Sequence, residues 1–207
     1  SASVWPMCAT ARSEGDVTMS EPLLTVEDQR TAFATGRGLV RAVDGVSFTL
    51  ERGRTLGVVG ESGSGKSVLS RSIMRLLPPN ARSSGAVRLG GRDLTAMSEK
   101  ALRALRGPEI SIVFQDPMTS LNPVMTIGAQ IGEVLTRHLG MSRKAAKARS
   151  VELLASVGLP QPDVRVDQHP HQLSGGMRQR VAIAIAIACE PALLIADEPT
   201  TALDVTV

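Results

Sequence analysis

The sequence predicts an α/β fold with a mostly parallel core sheet, an N-terminal antiparallel β subdomain and an inserted helical subdomain. Three observations carry that expectation. Alternating strand-like runs open the ordered part of the chain; a compact apolar strand, a glycine loop and a helix then follow in order; and a long helical stretch separates this unit from another apolar strand near Asp197. Strands and helices that alternate on both sides of a helical insert favour a parallel core.

Leu23–Asp28 and Val40–Leu50 alternate β-branched or apolar residues with polar ones around Thr35-Gly36-Arg37-Gly38, predicting two strands joined by a turn. Thr55–Val59 reads as a compact strand that stops at Gly60. Val68, Leu69, Ile73, Leu76 and Leu77 fall at helical spacing, so Ser67–Leu77 is expected to be a helix halted by Pro78-Pro79. Ala86–Leu89 before Gly90-Gly91 predicts a hairpin, Ser98–Leu105 a short helix capped by Ser98, and Ile110–Phe114 a buried strand. Thr126–Leu159 shows helical patterning without strand signals, which places the helical subdomain at about 124–175. Val181–Cys189 alternates Ala and Ile after its first residue, a strand-like period. Gln172–Arg180 nevertheless leads into it without a breaker and Pro191 closes it, so helix is the expectation. Leu193–Ala196 predicts a buried strand ending at Asp197. Ser1–Ser20 shows neither sustained period nor secretory pattern and is set aside as a disordered or non-native tail, leaving 21–207 as the folded domain.

Composition narrows the function classes. The 207 residues are 43% hydrophobic and 21% charged, as in ordinary globular chains, and the longest apolar run, Val181–Cys189, is far short of a bilayer span of roughly 20 residues. Cys8 and Cys189 supply neither a disulfide framework nor a metal cluster. With 23 basic and 20 acidic residues the net charge is +3, too balanced to indicate polyanion binding. Trp5, Phe33, Phe48 and Phe114 are the only aromatics, few for stacking on single-stranded nucleic acid.

Gly60-Glu61-Ser62-Gly63-Ser64-Gly65-Lys66-Ser67 matches the phosphate-binding P-loop and lies between an expected strand and an expected helix. Glycines let successive N–H groups turn toward phosphate oxygens where a side chain would block them. The helix starting near Lys66 adds its positive end, Lys66 can reach the β- and γ-phosphates, and the Ser67 hydroxyl can ligand Mg²⁺. A P-loop NTPase core is therefore expected, with ATP and Mg²⁺ as its ligands.

Leu193–Ala196 leads into Asp197-Glu198, putting two carboxylates at the carboxyl end of a strand, where α/β sheets bind ligands. One carboxylate can hold Mg²⁺ and the next can deprotonate the attacking water. Ahead of the Ala/Ile helix stands Leu173-Ser174-Gly175-Gly176-Met177, in which Ser174 is a natural N-cap and the glycines expose donors to an anion.

With these motifs, Gln115 after the Ile110–Phe114 strand, and Thr201-Ala202-Leu203-Asp204, the chain resembles the ATP-binding cassette family from about Leu23 to Val207. The resemblance implies a partial nucleotide-binding domain that pairs head to tail with a second cassette. Gly60, Ser62, Gly63, Ser64, Gly65, Lys66, Ser67 and Val68 would then hold one nucleotide, while Ser174 and Gly176 serve the partner's. It also implies Mg²⁺ contacts from Ser67, Gln115 and Asp197, Glu198 as the base, Lys66 and Gln115 as further catalytic groups, and Asp204 as a signal across the dimer. Phe114–Pro123 and Met177 look like the ATPase subunits of oligopeptide, dipeptide and nickel importers. Such systems imply a second, related ATPase in a heterodimer, two transmembrane permeases, an extracytoplasmic binding protein, no nucleic acid, and a place at the cytoplasmic face of the membrane.

Several positions depart from that pattern. Val68 stands where many cassettes offer a hydroxyl to the α-phosphate. Phe33 is the aromatic available to stack on adenine, with Leu39 or Val40 as alternatives and a role in β-subdomain packing as its rival. The family's switch histidine would fall about 30 residues after Glu198, beyond Val207, so the chain is expected to be C-terminally truncated and inactive alone. His169-Pro170-His171 reads as a solvent-facing loop. The basic residues between Arg137 and Arg149 read as a solvated helical face, and the apolar ones of Thr126–Leu139 as either core or a groove for a permease helix. Two rival readings are a non-catalytic nucleotide-binding fragment and a soluble ATPase acting on nucleic acid or ribosomes. The latter would carry long inserts or a second cassette, but Lys66 and Ser174 are only 108 positions apart.

Overall fold

The computed structural model describes residues 9–10, 21–36, 38–115 and 120–198. The chain divides into two units, Ser1–Leu102 and Arg103–Val207.

The first unit is built on a four-stranded antiparallel sheet in the order β3-β2-β5-β6: β2 is Leu24–Thr35, β3 Gly38–Leu50, β5 Ala81–Leu89 and β6 Arg92–Asp93. The two strands expected at Leu23–Asp28 and Val40–Leu50 are present, and β2 runs on to Thr35. Phe33 pairs with Val40 on one side and Ala81 on the other, so cross-strand contacts extend the strand past its alternating part. Gly90 and Gly91, at φ 51° and 74°, make the two-residue β5–β6 turn, in which a primed geometry needs positive φ. Two residues of the segment set aside as a tail, Ala9–Thr10 (β1), pair antiparallel with Gly57–Val58 (β4); the rest of that segment lies outside the described residues.

Helix α1, Lys66–Ile73, packs on β2 and β3 through Leu69, Ser72 and Ile73. It ends before the expected Leu77. Arg75 is left-handed at φ 51°, Leu76 N–H donates to Arg71 O at 2.8 Å, and the Arg75 Nη1 donates to the carbonyls of Leu94, Thr95 and Met97. These contacts cap the helix before the prolines do. A short helix, α2 (Glu99–Leu105), begins at Ser98, whose hydroxyl accepts from Ala101 N–H as the sequence predicts.

The second unit holds a parallel pair, β7 (Ile110–Val113) and β8 (Leu193–Ala196), in register Ile110↔Leu193 to Val113↔Ala196. Helices α3 (Ile127–Leu139), α4 (Arg143–Ser156), the single turn α5 (Pro162–Arg165) and α6 (Gly175–Ile187) supply the rest. Thr126, Ser142 and Ser174 cap α3, α4 and α6, each hydroxyl accepting from the N–H three residues on. Ile127, Ile131, Leu135 and Leu154 are wholly buried in one cluster with Val181 and Ala184. Each full burial of such a large side chain is worth about 1.5–3 kcal/mol.

The Ala/Ile segment is helical, and geometry explains its deceptive period. At 100° per residue, alternation places Ala184 and Ala188 on one face, Ala182 and Ala186 opposite, and the isoleucines on the flanks. Two neighbours can then approach α6 closely from opposite sides. Strand β8 is less enclosed than expected: Leu193 is buried, but Leu194 is 42% exposed, because among the described residues β8 pairs with β7 alone. His169–His171 is not a plain loop. Pro170–Gln172 forms a 3₁₀ turn with Pro170 buried, and the two imidazoles stack at 5.7 Å.

Candidate functional site

In the first unit the glycine loop joins β4 to α1 as predicted. Lys66 Nζ donates to Gly60 O at 2.7 Å and to Glu61 O at 2.8 Å, so the ammonium is held at the mouth of the loop by the loop's own carbonyls. Gly63 and Gly65 have φ of 79° and 96°, conformations that L side chains resist. Gly65 has a second reason to be glycine: a Cβ there would lie 2.1 Å from Ala42 O. A Cβ on Gly60 would meet Ser64 Oγ at 2.8 Å. That Ser64 hydroxyl is buried without a hydrogen-bond partner among the described residues. An orphaned hydroxyl within a glycine-rich loop suits a phosphate oxygen. Ser62 is exposed beside it, and Ser67 and Val68 begin the helix. Phe33 is half-buried in β2, and Leu39 and Val40 are each 54% exposed.

The second unit carries the acidic residues. Asp197 follows β8, is 5% exposed, and donates its backbone N–H to Val113 O at 3.0 Å, which fixes it beside the end of β7. Glu198 is exposed and sits at φ 47°, a strained backbone for a non-glycine residue of the kind that concentrates at functional sites. Gln115, two residues past β7, donates from Nε2 to Glu198 Oε2 at 2.6 Å. The parallel register places their backbones side by side, and the hydrogen bond joins the two side chains that the sequence assigns to the reacting water.

Ser174 and Gly176 stand at the start of α6, with Ser174 Oγ accepting from Met177 N–H at 3.3 Å. A Cβ on Gly175 would meet nothing within 4 Å. Asp204 lies outside the described residues.

The basic residues from Arg137 to Arg149 prove partly paired. Lys147 bridges Asp167 at 2.8 Å, and Arg149 bridges Glu152 and Glu190 at 2.9 and 3.1 Å. The acids come from other elements, or from the next turn of the helix, so the run alone does not show them. The apolar residues of α3 divide as well. Ile127, Ile131 and Leu135 enter the core, whereas Ala129, Gly132 and Thr136 line a cavity of about 670 Å³ with Met141, Ala146 and Val166. Gln179 was not singled out by its residue type; it stands between Arg178 and Arg180 just ahead of the Ala/Ile run, so in the sequence it reads as one more polar residue of the first turns.

The family model described as ABC transporter matches residues 43–201. The chain belongs to the ABC transporter family. Among its relatives this cassette is 57% identical over 187 residues to the oligopeptide transport ATP-binding protein OppD of Bacillus subtilis (strain 168), covering 89% of this chain and 52% of the relative. It is 53% identical over 189 residues to the dipeptide transport ATP-binding protein DppD of the same organism, covering 90% and 56%. The cassette thus spans about half the length of the curated relatives it matches. Among solved structures it resembles the ATP-binding cassette MJ0796, described as a dimer in a post-hydrolysis state bound to ADP and Pi. The TM-score is 0.77 and the identity 29%, over 88% of this chain and 76% of that one. These likenesses bear out the α/β cassette fold expected from the sequence.

Proposed function

We propose that the protein binds and hydrolyses ATP to drive a peptide importer. The observation that carries this reading is the Gln115–Glu198 hydrogen bond at the end of the parallel pair, in a chain that also has a complete phosphate loop. Lys66 and the loop N–H groups bind the phosphates, with Gly60, Ser62, Gly63, Ser64, Gly65, Ser67 and Val68 forming the cradle. Ser67, Gln115 and Asp197 would hold Mg²⁺, an assignment consistent with a hydroxyl, an amide oxygen and a buried carboxylate as hard oxygen donors. When bound, the ion neutralises charge on the β- and γ-phosphates. Gln115 orients the attacking water, and Glu198 takes its proton. Phe33 stacks on adenine.

In the same reading Ser174 and Gly176 face the nucleotide of a second, related cassette in a heterodimer, and Asp204 signals across it. Two permeases dock at the α3–α4 cavity, an extracytoplasmic binding protein delivers cargo, and the protein works at the cytoplasmic face of the membrane. Peptides are the favoured cargo because two of the closely related proteins are named for oligopeptide and dipeptide transport; nickel is the alternative.

The test replaces the chromosomal copy with Lys66→Ala or Glu198→Gln and follows uptake of labelled di- and oligopeptides and of Ni²⁺. Both variants should abolish peptide uptake. The purified Glu198→Gln protein should retain binding of a fluorescent ATP analogue while hydrolysis falls roughly 100-fold or more. Normal uptake in both variants overturns the transport reading, and unchanged hydrolysis removes Glu198 from the role of base.

A further inference from the structure

Gln179 is 1% exposed, and neither its Nε2 nor its Oε1 has a hydrogen-bond partner among the described residues. A side-chain amide offers two donors and an acceptor, and leaving all of them unmet in the interior is costly. Leucine, of similar volume, would carry none of that cost. Packing alone therefore does not account for glutamine here.

Helix geometry fixes the direction in which it points. Met177, Val181, Ala184 and Ala188, at spacings of four, three and four, form the stripe of α6 that enters the helical core. Gln179 and Ala186 are also buried, are seven residues apart, and lie on the opposite side of the helix. Besides α3 and α4, α6 packs on β7, so this second face is turned toward the β7–β8 pair. The chain runs along α6 and returns through β8, which puts the first turns of the helix at the carboxyl end of the strands. Gln115, Asp197 and Glu198 are at that end.

We infer that Gln179 is a positioning residue whose amide pairs with the ends of β7 and β8 when nucleotide is bound, setting the register between α6 and the Gln115–Glu198 pair. This rests on the ATP-hydrolysing reading above. An amide unpaired in one arrangement and paired in another favours the second, so Gln179 shifts the population toward the loaded form. A residue of purely structural value would do the reverse, and its loss would weaken the unloaded protein.

That contrast is the test. Thermal midpoints are measured for wild type, Gln179→Leu and Gln179→Asn, with and without Mg²⁺ and a non-hydrolysable ATP analogue, and hydrolysis is measured on the same proteins as encoded. Gln179→Leu should keep or raise the unloaded midpoint, lose at least half of the nucleotide-induced gain, and lower kcat/KM at least tenfold. Gln179→Asn, which keeps the amide on a shorter stem, should recover part of both losses. A full nucleotide-induced gain in Gln179→Leu overturns the inference, as does a fall in its unloaded midpoint. If wild type itself shows no nucleotide-induced gain, the ATP reading fails first and the inference falls with it, an outcome distinct from a wild-type gain that Gln179→Leu shares.

Discussion

The glycines of the phosphate loop and those of the Leu173–Met177 segment look alike in sequence and are required for different reasons. Gly65 is required by the fold: its φ is 96° and a Cβ would strike Ala42 O. Gly175 is not; it opens a helix in which alanine would be favoured, and a Cβ there would meet no atom within 4 Å. One glycine answers to its own chain. The other keeps a surface low for something outside it, in line with the proposal that α6 faces a partner's nucleotide.

Gly65→Ala gives the strongest means of breaking this comparison. It should reduce binding of a fluorescent ATP analogue by more than tenfold and destabilise the protein by about 1–3 kcal/mol in chemical denaturation. Gly175→Ala should instead raise stability, by up to about 1 kcal/mol, and still slow hydrolysis. Equal effects of the two substitutions on stability would remove the distinction. The N-caps refine it on a smaller scale. Ser142→Ala and Ser174→Ala should each cost about 1 kcal/mol in stability, but only Ser174→Ala should also lower hydrolysis; matched activity would reduce Ser174 to a cap. The smallest effect lies away from both loops. The Thr95 hydroxyl, followed by backbone N–H groups, holds the Asp93 carboxyl below the usual carboxylate range. Its stabilising contribution is therefore complete above the unfolded value and is lost as pH falls through the lower folded one. Thermal midpoints of Asp93→Asn should fall less than wild type between about pH 5 and 2.

How far the sequence predicted these features depended on whether the cause was local. The phosphate loop, the helix caps at Ser98 and Ser174 and the Gly90-Gly91 turn follow from residue types at fixed offsets, and all stand where the residues put them. Strand β2 ran seven residues past its expected end because pairing on both edges, at Val40 and Ala81, continued after the alternation faded. Helix α1 stopped early because Arg75 reaches carbonyls about twenty residues away. At the candidate site, Gln115 and Glu198 were each identified by motif, but their 2.6 Å contact depends on β7–β8 register. Gln179 has no motif of its own, since its burial depends on α6 being enclosed on two sides.

That enclosure also bears on how freely the segment can vary. Most helices in a protein have a solvent side on which substitutions accumulate with little consequence. The Ala/Ile stretch of α6 has none, with every residue from Val181 to Cys189 at least half-buried and Ala184, Ala186 and Ala188 fully so. A larger residue at Ala184 displaces the helical core, and one at Ala186 displaces the strand pair. Change in this helix therefore has to be matched by change in its neighbours, so the spacing between them is inherited as a unit.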